Sequence, residues 1–325
     1  MGPHPAVAEV RRAIRAVLDG SPVLVACSGG ADSLALAAAV AFEAPRAGVQ
    51  AGLVTVEHGM QPDSPAVARR VATLGAELGF DPVEIVPVSV GTAGGRENAA
   101  RVARYAALGS VAEALGACVL LGHTLDDQAE TVLLGLGRGS GPRSIAGMAP
   151  VDGRWVRPLL GVRRAVTAAA CAALGLDVWD DPHNADPSFQ RVRLRREVLP
   201  LLEDVLQGGV AEALARTAAL VRDDLDALDS LDSLDSRIDH DVDAALQAAD
   251  LAGRPRAIRT RLLRAWCAAA GVPPLAAGHL GSLDALVVKW HGQGPVDLPG
   301  GRRVRRVSGR IEFIPPAPHL PEPVS

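Results

Sequence analysis

At 325 residues and a net charge of −4, the chain is long enough for about two domains with real cores and lacks the positive excess of a dedicated nucleic-acid binder, so any such surface is a local patch. Four Trp, four Phe and one Tyr leave the core to Ala, Val and Leu, and a single lysine, Lys289, leaves nearly all positive charge to arginine. The four cysteines, Cys27, Cys118, Cys171 and Cys267, have no paired spacing, which argues against a disulfide scaffold and fits reduced thiols in a cytoplasm.

The N-terminus, Met1-Gly2-Pro3-His4-Pro5, carries no charged-then-apolar leader, and no run of about 18 apolar residues occurs, so a soluble cytoplasmic protein without a membrane partner is expected. Residues 6–18 place Val7, Val10, Ile14, Val17 and Leu18 at helical spacing opposite Arg11, Arg12 and Arg15. Short apolar runs at Val23–Ala26 and Gly52–Val56 read as buried strands, and Val83–Val88 and Ala117–Gly122 as a third and a fourth strand. They alternate with helical patterns after residue 31 and over 64–78, 95–115 and 126–136. That alternation predicts parallel βαβ units in a doubly wound α/β sheet, with ligands at the carboxyl ends of the strands. Beyond a helix at 162–174, a helical run through residues 189–199 ends at Pro200, and Gly208-Gly209 marks a boundary. The expected domains are 1–205 and 206–325. The second is smaller and mostly α-helical, with helices over 210–239, 256–270 and 279–290, and ends in a short β-meander at 296–314. In its first helix an acidic Asp-Ser repeat faces away from a stripe of Leu225, Leu228, Leu231, Leu234 and Ile238.

The most specific stretch is Cys27-Ser28-Gly29-Gly30-Ala31-Asp32-Ser33, between a strand and a helix start. Free N–H groups and the positive end of the helix dipole converge there, the glycines allow close approach, and Ser28 and Ser33 can donate to an anion. Asp32 can hold the magnesium that accompanies a nucleotide. Five fixed residues of this kind arise by chance about once in 10⁶ positions. No Gly-Lys-Ser/Thr closes the loop, so it is not a Walker A motif.

A second segment, Gly122-His123-Thr124-Leu125-Asp126-Asp127-Gln128-Ala129-Glu130-Thr131, opens a helix on which Asp127 and Glu130 share a face. Its carboxylates repel unless a cation joins them, with magnesium and a substrate ammonium as candidates, or else they merely cap the helix. Arg101 and Arg104 share another helix face and serve either phosphate or the surface. Arg191, Arg193, Arg195 and Arg196 form either a clamp for RNA phosphates or a carboxylate, or a charged helix surface.

Taken together with His58-Gly59, Glu97-x-x-x-Arg101-x-x-Arg104-Tyr105, Arg138-Gly139-Ser140-Gly141 and Arg157-Pro158-Leu159-Leu160, these segments resemble the tRNA(Ile)-lysidine synthetase family of the ATP-pyrophosphatase (PP-loop) superfamily over residues 21–202. Val296–Gly301 also resembles that family's region after the catalytic domain. Gln61 stands where the family often has Arg, and Val192 where Asn usually follows the first arginine of the cluster.

The resemblance implies an ATP-dependent ligase. ATP adenylates the C2 oxygen of the wobble cytidine of a CAU-anticodon isoleucine tRNA and releases pyrophosphate, and the ε-amine of free L-lysine then displaces AMP. It implies ATP contacts at Ser28, Gly29, Gly30, Asp32, Ser33, His58, His123 and Arg104, and Mg²⁺ on Asp32. Asp127 and Glu130 would hold the amine, Arg195 the lysine carboxylate, and Arg101 the phosphate or adenylate, with Arg191, Arg193 and Arg195 toward the RNA. The Arg302, Arg303, Arg305 and Arg306 stretch is a candidate tRNA grip, and a homodimer stays open. Rival readings are a 2-thiolation enzyme, disfavoured by the unpaired cysteines, an amidating synthetase, which lacks room for a glutaminase domain before residue 21, and a non-catalytic nucleotide-binding protein.

Overall fold

The computed structural model describes residues 2–59, 63–89, 96–139, 141–181, 186–233 and 245–315, with the side chains of 96–98 and 231–233 outside that description. Gln61, the side chain of Glu97, Ser140, Leu231, Leu234 and Ile238 therefore lie outside the described residues.

In chain order the elements are α1 (Pro5–Arg15), β1 (Val23–Ala26), α2 (Ala31–Ala47), β2 (Ala51–Glu57), α3 (Ser64–Glu77), β3 (Val83–Pro87), α4 (Arg96–Leu115), β4 (Cys118–Leu121) and α5 (Leu125–Arg138). There follow α6 (Pro142–Ile145), β5 (Val151–Asp152), β6 (Trp155–Val156), α7 (Arg164–Leu174), α8 (Gln190–Arg193), α9 (Leu199–Val205) and α10 (Val210–Ser233). The last are β7 (Leu246–Gln247), α11 (Ala248–Ala252), α12 (Arg256–Ala269), α13 (Ala277–Val288), β8 (Val296–Asp297), β9 (Arg303–Val307) and β10 (Arg310–Phe313). The chain packs as two units, one of residues 1–134 and 146–218, the other of residues 135–145 and 219–325.

The first unit holds a six-stranded sheet in the order β3-β2-β1-β4-β6-β5, parallel except for β5 against β6. The doubly wound expectation holds, and its cause is visible in the alternation along β1. Val23 and Val25 point into a core shared with Val10 and Ile14 of α1, Leu36 and Val40 of α2, and Cys171 of α7. Leu24 points to the other face, where Leu108 and Ala112 of α4 cover it together with Val119 and Leu121. The chain leaves β1 toward β2 and β3, then returns to place β4 on β1's other side. That reversal splays the loops after β1 and β4 apart and opens a crevice at the carboxyl edge.

Two features were not legible from periodicity. The β5–β6 hairpin, turned at Gly153 (φ 58°), extends the sheet past β4, but strands of two residues have no period to read. The expected continuous helix through 189–199 is instead α8, a π-turn over Leu194–Val198 and α9. Pro200 has no N–H to continue the ladder, and Leu199 donates to Leu194 O, five residues back.

The second unit carries the expected helices α12 and α13 and the meander, with β7 added to give an antiparallel sheet β7-β10-β9-β8. Of the helix expected over 210–239, α10 spans Val210–Ser233, its first residues belonging to the first unit and 234–239 lying outside the described residues. Its core centres on Leu263, Leu283, Leu286, Val304 and Ile311. Within it the buried Arg259 binds Asp284 through two nitrogens and donates to Arg254 O at 2.7 Å. In the acidic helix α10, Leu225 is buried and the neighbouring aspartates are mostly exposed.

Gly122, at the end of β4, fixes the edge of the crevice. A Cβ there would lie 3.2 Å from backbone atoms of Asp32 and Ser33, which cannot swing aside as a side chain would. Gly122→Ala should therefore destabilise the protein by about 1–3 kcal/mol in urea unfolding and weaken ATP binding, because the start of α2 must shift. Unchanged stability and affinity together would show that the contact is not constraining.

Candidate active site

The loop after β1 is built by its own serines. Ser28 N–H donates to Ser33 Oγ (3.1 Å), Ser33 Oγ donates to Gly30 O (2.9 Å), and the two hydroxyls lie 3.3 Å apart. Gly29 takes φ 88°, and a Cβ on it would lie 3.1 Å from Val71 and 3.4 Å from Val67. Trp179 N–H clamps Gly29 O at 3.0 Å. Gly30 caps α2 with no side-chain hydrogen bond, so the first N–H groups of the helix remain available to an anion beside the hydroxyls.

At the start of α5 the capping reading of the acidic segment holds for one oxygen of Asp127, while the cations that join the carboxylates are arginines rather than the expected magnesium or substrate ammonium. Asp127 Oδ2 accepts from the Thr124 N–H at 2.8 Å while Asp127 N–H donates back to Thr124 Oγ1 at 3.4 Å, the reciprocal pair of a capping box, and the Thr124 hydroxyl also donates to Oδ2 at 2.8 Å. Asp127 Oδ1 turns the other way, toward Arg164 Nη2 at 2.5 Å and Arg195 Nη2 at 3.5 Å. Glu130, fully buried, meets Arg195 Nε at 2.8 Å and Arg164 Nη1 at 3.3 Å. The cations that join these carboxylates are thus the chain's own guanidiniums. Asp126 leaves the pair, accepting from the backbone N–H of Arg164 (2.7 Å) and binding Arg163 (3.2 Å). Gln128 is structural, exchanging hydrogen bonds with both backbone groups of Met148.

Asp32 sits between loop and cluster. Thr167 Oγ1 donates to it and Arg164 Nε lies 3.4 Å away. Burial pushes its carboxyl above the usual value, and Thr167 and Arg164 only partly oppose this. Burial also pushes Asp127 up, but Arg164 and the two Thr124 donors outweigh it and hold that carboxyl below the usual range. His123 is pushed down to about 4, chiefly by burial and against the pull of Asp127. It is neutral at pH 7.

Ser28, Gly30, Asp32, Ser33, His123, Asp127, Arg164 and Arg195 line one cleft of roughly 600 Å³ together with His58, Arg101, Arg104, Tyr105, Trp179 and Arg196, whereas Gly29, Thr167 and the fully buried Glu130 lie outside its lining. Arg104 donates to His58 Nε2 at 3.1–3.2 Å, and Glu57 holds the following turn through Gly59 N–H (2.6 Å) and the Ser64 hydroxyl. Arg101 stacks on Tyr105, 4.7 Å from the ring centroid. Of the arginine cluster, Arg195 and Arg196 line the cleft, whereas Arg193 pairs outward with Glu197 (3.0 Å) and Arg191 is not part of the lining. Arg302, Arg303, Arg305 and Arg306 all bond within the second unit, to Ala270 O, Asp297, Glu312 and Leu286 O. Sequence reasoning missed Arg164, Thr167 and Trp179. The nearest signal was Arg163-Arg164, directly after the Arg157-Pro158-Leu159-Leu160 motif.

The cleft suits a nucleotide. The Nδ1 atoms of His58 and His123, both of which line it, are buried without a hydrogen-bond partner. Among the described residues no three His, Cys, Asp or Glu side chains gather as a metal cage. Asp32 nevertheless offers hard oxygen donors beside the anion loop, which fits a magnesium held by one carboxylate and phosphate oxygens. Among the described residues, no helix is long and apolar enough to cross a membrane.

Comparison with known proteins agrees with this geometry. The model of the PP-loop domain family matches residues 5–202, and that of the TilS substrate binding domain matches residues 246–312. The chain is 58% identical over 317 residues to a tRNA(Ile)-lysidine synthase of Thermobifida fusca, covering 95% of this chain and 98% of that one. It is 51% identical over 347 residues to one of Streptomyces coelicolor, covering 96% and 99%. The solved structure of a U34-tRNA thiolase from Methanococcus maripaludis matches with a TM-score of 0.56 at 18% identity, over 67% of this chain and 80% of that one, a likeness of fold alone.

Two titrations check the electrostatics. The His123 ring should titrate near pH 4 by NMR, against an ordinary value of 6.5. Since the unfolded chain then takes up this proton first, His123's contribution to stability is complete above pH 6.5 and declines as pH falls toward 4; a midpoint near 6.5 would contradict the burial. Thr167→Val removes a donor to ionised Asp32, so the acidic limb of the kcat/KM profile should move to higher pH. An unmoved limb would mean that Asp32 does not govern it.

Proposed function

This chain belongs to the tRNA(Ile)-lysidine synthase family of PP-loop, ATP-dependent ligases, and we propose that it joins free L-lysine to the wobble cytidine of a CAU-anticodon isoleucine tRNA. The observation that carries this reading is the meeting, in one cleft, of an anion-binding loop and the Asp127 carboxylate, with Asp32 bonded to the same Arg164 as Asp127 and the buried Glu130. A nucleotide-binding protein without a reaction needs the first and has no use for the second.

In the first step the cytidine C2 oxygen attacks the α-phosphorus of ATP and pyrophosphate leaves. The Ser28 and Ser33 hydroxyls, with the N–H groups at the start of α2, stabilise the negative charge that collects on the leaving group. Asp32 would hold a magnesium ion, which would supply positive charge to offset part of that on the leaving group. Arg101 and Arg104 face phosphate or adenylate, and His58 and His123, both able to stay neutral, line the nucleotide. In the second step the ε-amine attacks C2, the C2–O bond breaks, AMP leaves and the amine gives up its proton. Asp127 and Glu130 orient the incoming ammonium, with Asp127 Oδ1 as the first proton acceptor. Arg196, and Arg195 while it stays bonded to Glu130, border the cleft as candidates for the lysine carboxylate. The second unit, with its match to a substrate binding domain, contacts the tRNA body.

The test is release of AMP and pyrophosphate with unmodified CAU-anticodon tRNA, with and without labelled lysine. AMP that requires both, with label retained on RNA, is the expected result. Asp127→Asn should lower lysine transfer by about 10²-fold or more while leaving pyrophosphate release largely intact. AMP formation that proceeds equally well without lysine would point to another nucleophile.

A further inference from the structure

The amine site described above is already filled. Arg164 spreads one planar guanidinium over three carboxylates, with Nε toward Asp32 (3.4 Å), Nη1 toward Glu130 (3.3 Å) and Nη2 toward Asp127 (2.5 Å). Building on the proposed placement of the lysine amine, we propose that Arg164 is a positioning residue that stands in for the substrate ammonium and makes lysine binding conditional on ATP, by moving from Asp127 and Glu130 to the phosphates.

Charge and geometry carry the argument. An ammonium entering between Asp127 and Glu130 would lie against two guanidiniums, Arg164 and Arg195, and like charges at that range oppose binding. Departure of Arg164 leaves Glu130 still held by Arg195 through Nε and Nη2, so the site loses one cation without collapsing. The backbone of Arg164 is anchored by its N–H to Asp126, which confines the change to the side chain. That side chain is only partly buried and borders the same cleft as Ser28, Gly30 and Ser33, so a triphosphate on the loop offers it an anionic alternative within the cleft. The same move removes the strongest cation from Asp127 and makes it a better proton acceptor when the amine arrives. Before ATP binds, the fork keeps the carboxylates facing one centre.

The experiment is calorimetric titration of L-lysine into the full chain, with and without the magnesium complex of an α,β-methylene ATP analogue. The wild type should bind lysine about 10-fold to 100-fold tighter with the analogue, and lysine should tighten the analogue by the same factor. In Arg164→Gln the factor should fall to near one, because lysine now binds the nucleotide-free protein more tightly. Arg164→Lys, which retains the charge but cannot span three carboxylates, should fall between, and it carries the test if Arg164→Gln does not fold. Equal lysine affinity in the two states of the wild type, full coupling in either variant, or no lysine binding to nucleotide-free, folded Arg164→Gln would each overturn the proposal. Asp127→Asn separates the two readings. Lysine binding that survives it removes the amine site itself, whereas its loss alongside full coupling in Arg164→Gln removes only the role of Arg164.

Discussion

Four carboxylates gather where α2 and α5 leave the sheet, and the rest of the site depends on how their charge is held. Asp32, Asp126, Asp127 and Glu130 share a poorly hydrated corner in which unpaired anions would be costly. Arg163, Arg164 and Arg195 supply the compensation, and each reaches the corner from an element that begins there. Arg163 and Arg164 open α7, which packs on α1 and α2. Arg195 rides the π-turn that Pro200 forces between α8 and α9. An arginine network of this kind is easily disturbed by a new charge, because each guanidinium has other anions within reach. Ligand charge can therefore act on the whole site at once.

The fold provides the location. Because β4 returns to the far side of β1, the loops after these strands part, and the start of α2 presents N–H groups to the space that Asp127 of α5 also borders. Gly122 lets the two segments touch, and Gly29, in a left-handed conformation against Val67 and Val71, lets the anion loop lie flat on α3. The cleft thus combines a positive end suited to phosphates with a carboxylate end suited to an amine. The two halves of an adenylate-then-amine reaction call for that pairing.

Asp127 illustrates how a structural and a chemical role can share one side chain. Its Oδ2 caps α5 through Thr124, and that bond orients Oδ1 toward the guanidiniums. A residue fixed by its own helix cap has little rotamer freedom left to lose when a substrate arrives.

Several features were determined by local sequence. Apolar runs flanked by helix formers placed β1 to β4 and α1 to α5; burial on both faces makes β1 and β4 unbroken apolar runs, while the edge strand β3 carries Glu84. The Ser28–Ser33 loop identified the anion site by itself, because its glycines, hydroxyls and helix start act within six residues. The i, i+3 spacing put Asp127 beside Glu130. Tertiary structure alone decided which cation the carboxylates hold. Arg164 lies 34 to 132 residues from its three partners, and nothing in its neighbours' spacing marks it off from Arg163, which turns to Asp126, Glu203 and Glu212 instead. It also decided which arginines of the 191–196 cluster face the cleft, because a π-turn rotates every residue after it relative to an unbroken helix. Periodicity reports which face of an element is buried. Pairing across long separations depends on how elements meet, and that is settled only when the sheet reverses direction and brings the ends of β1 and β4 side by side.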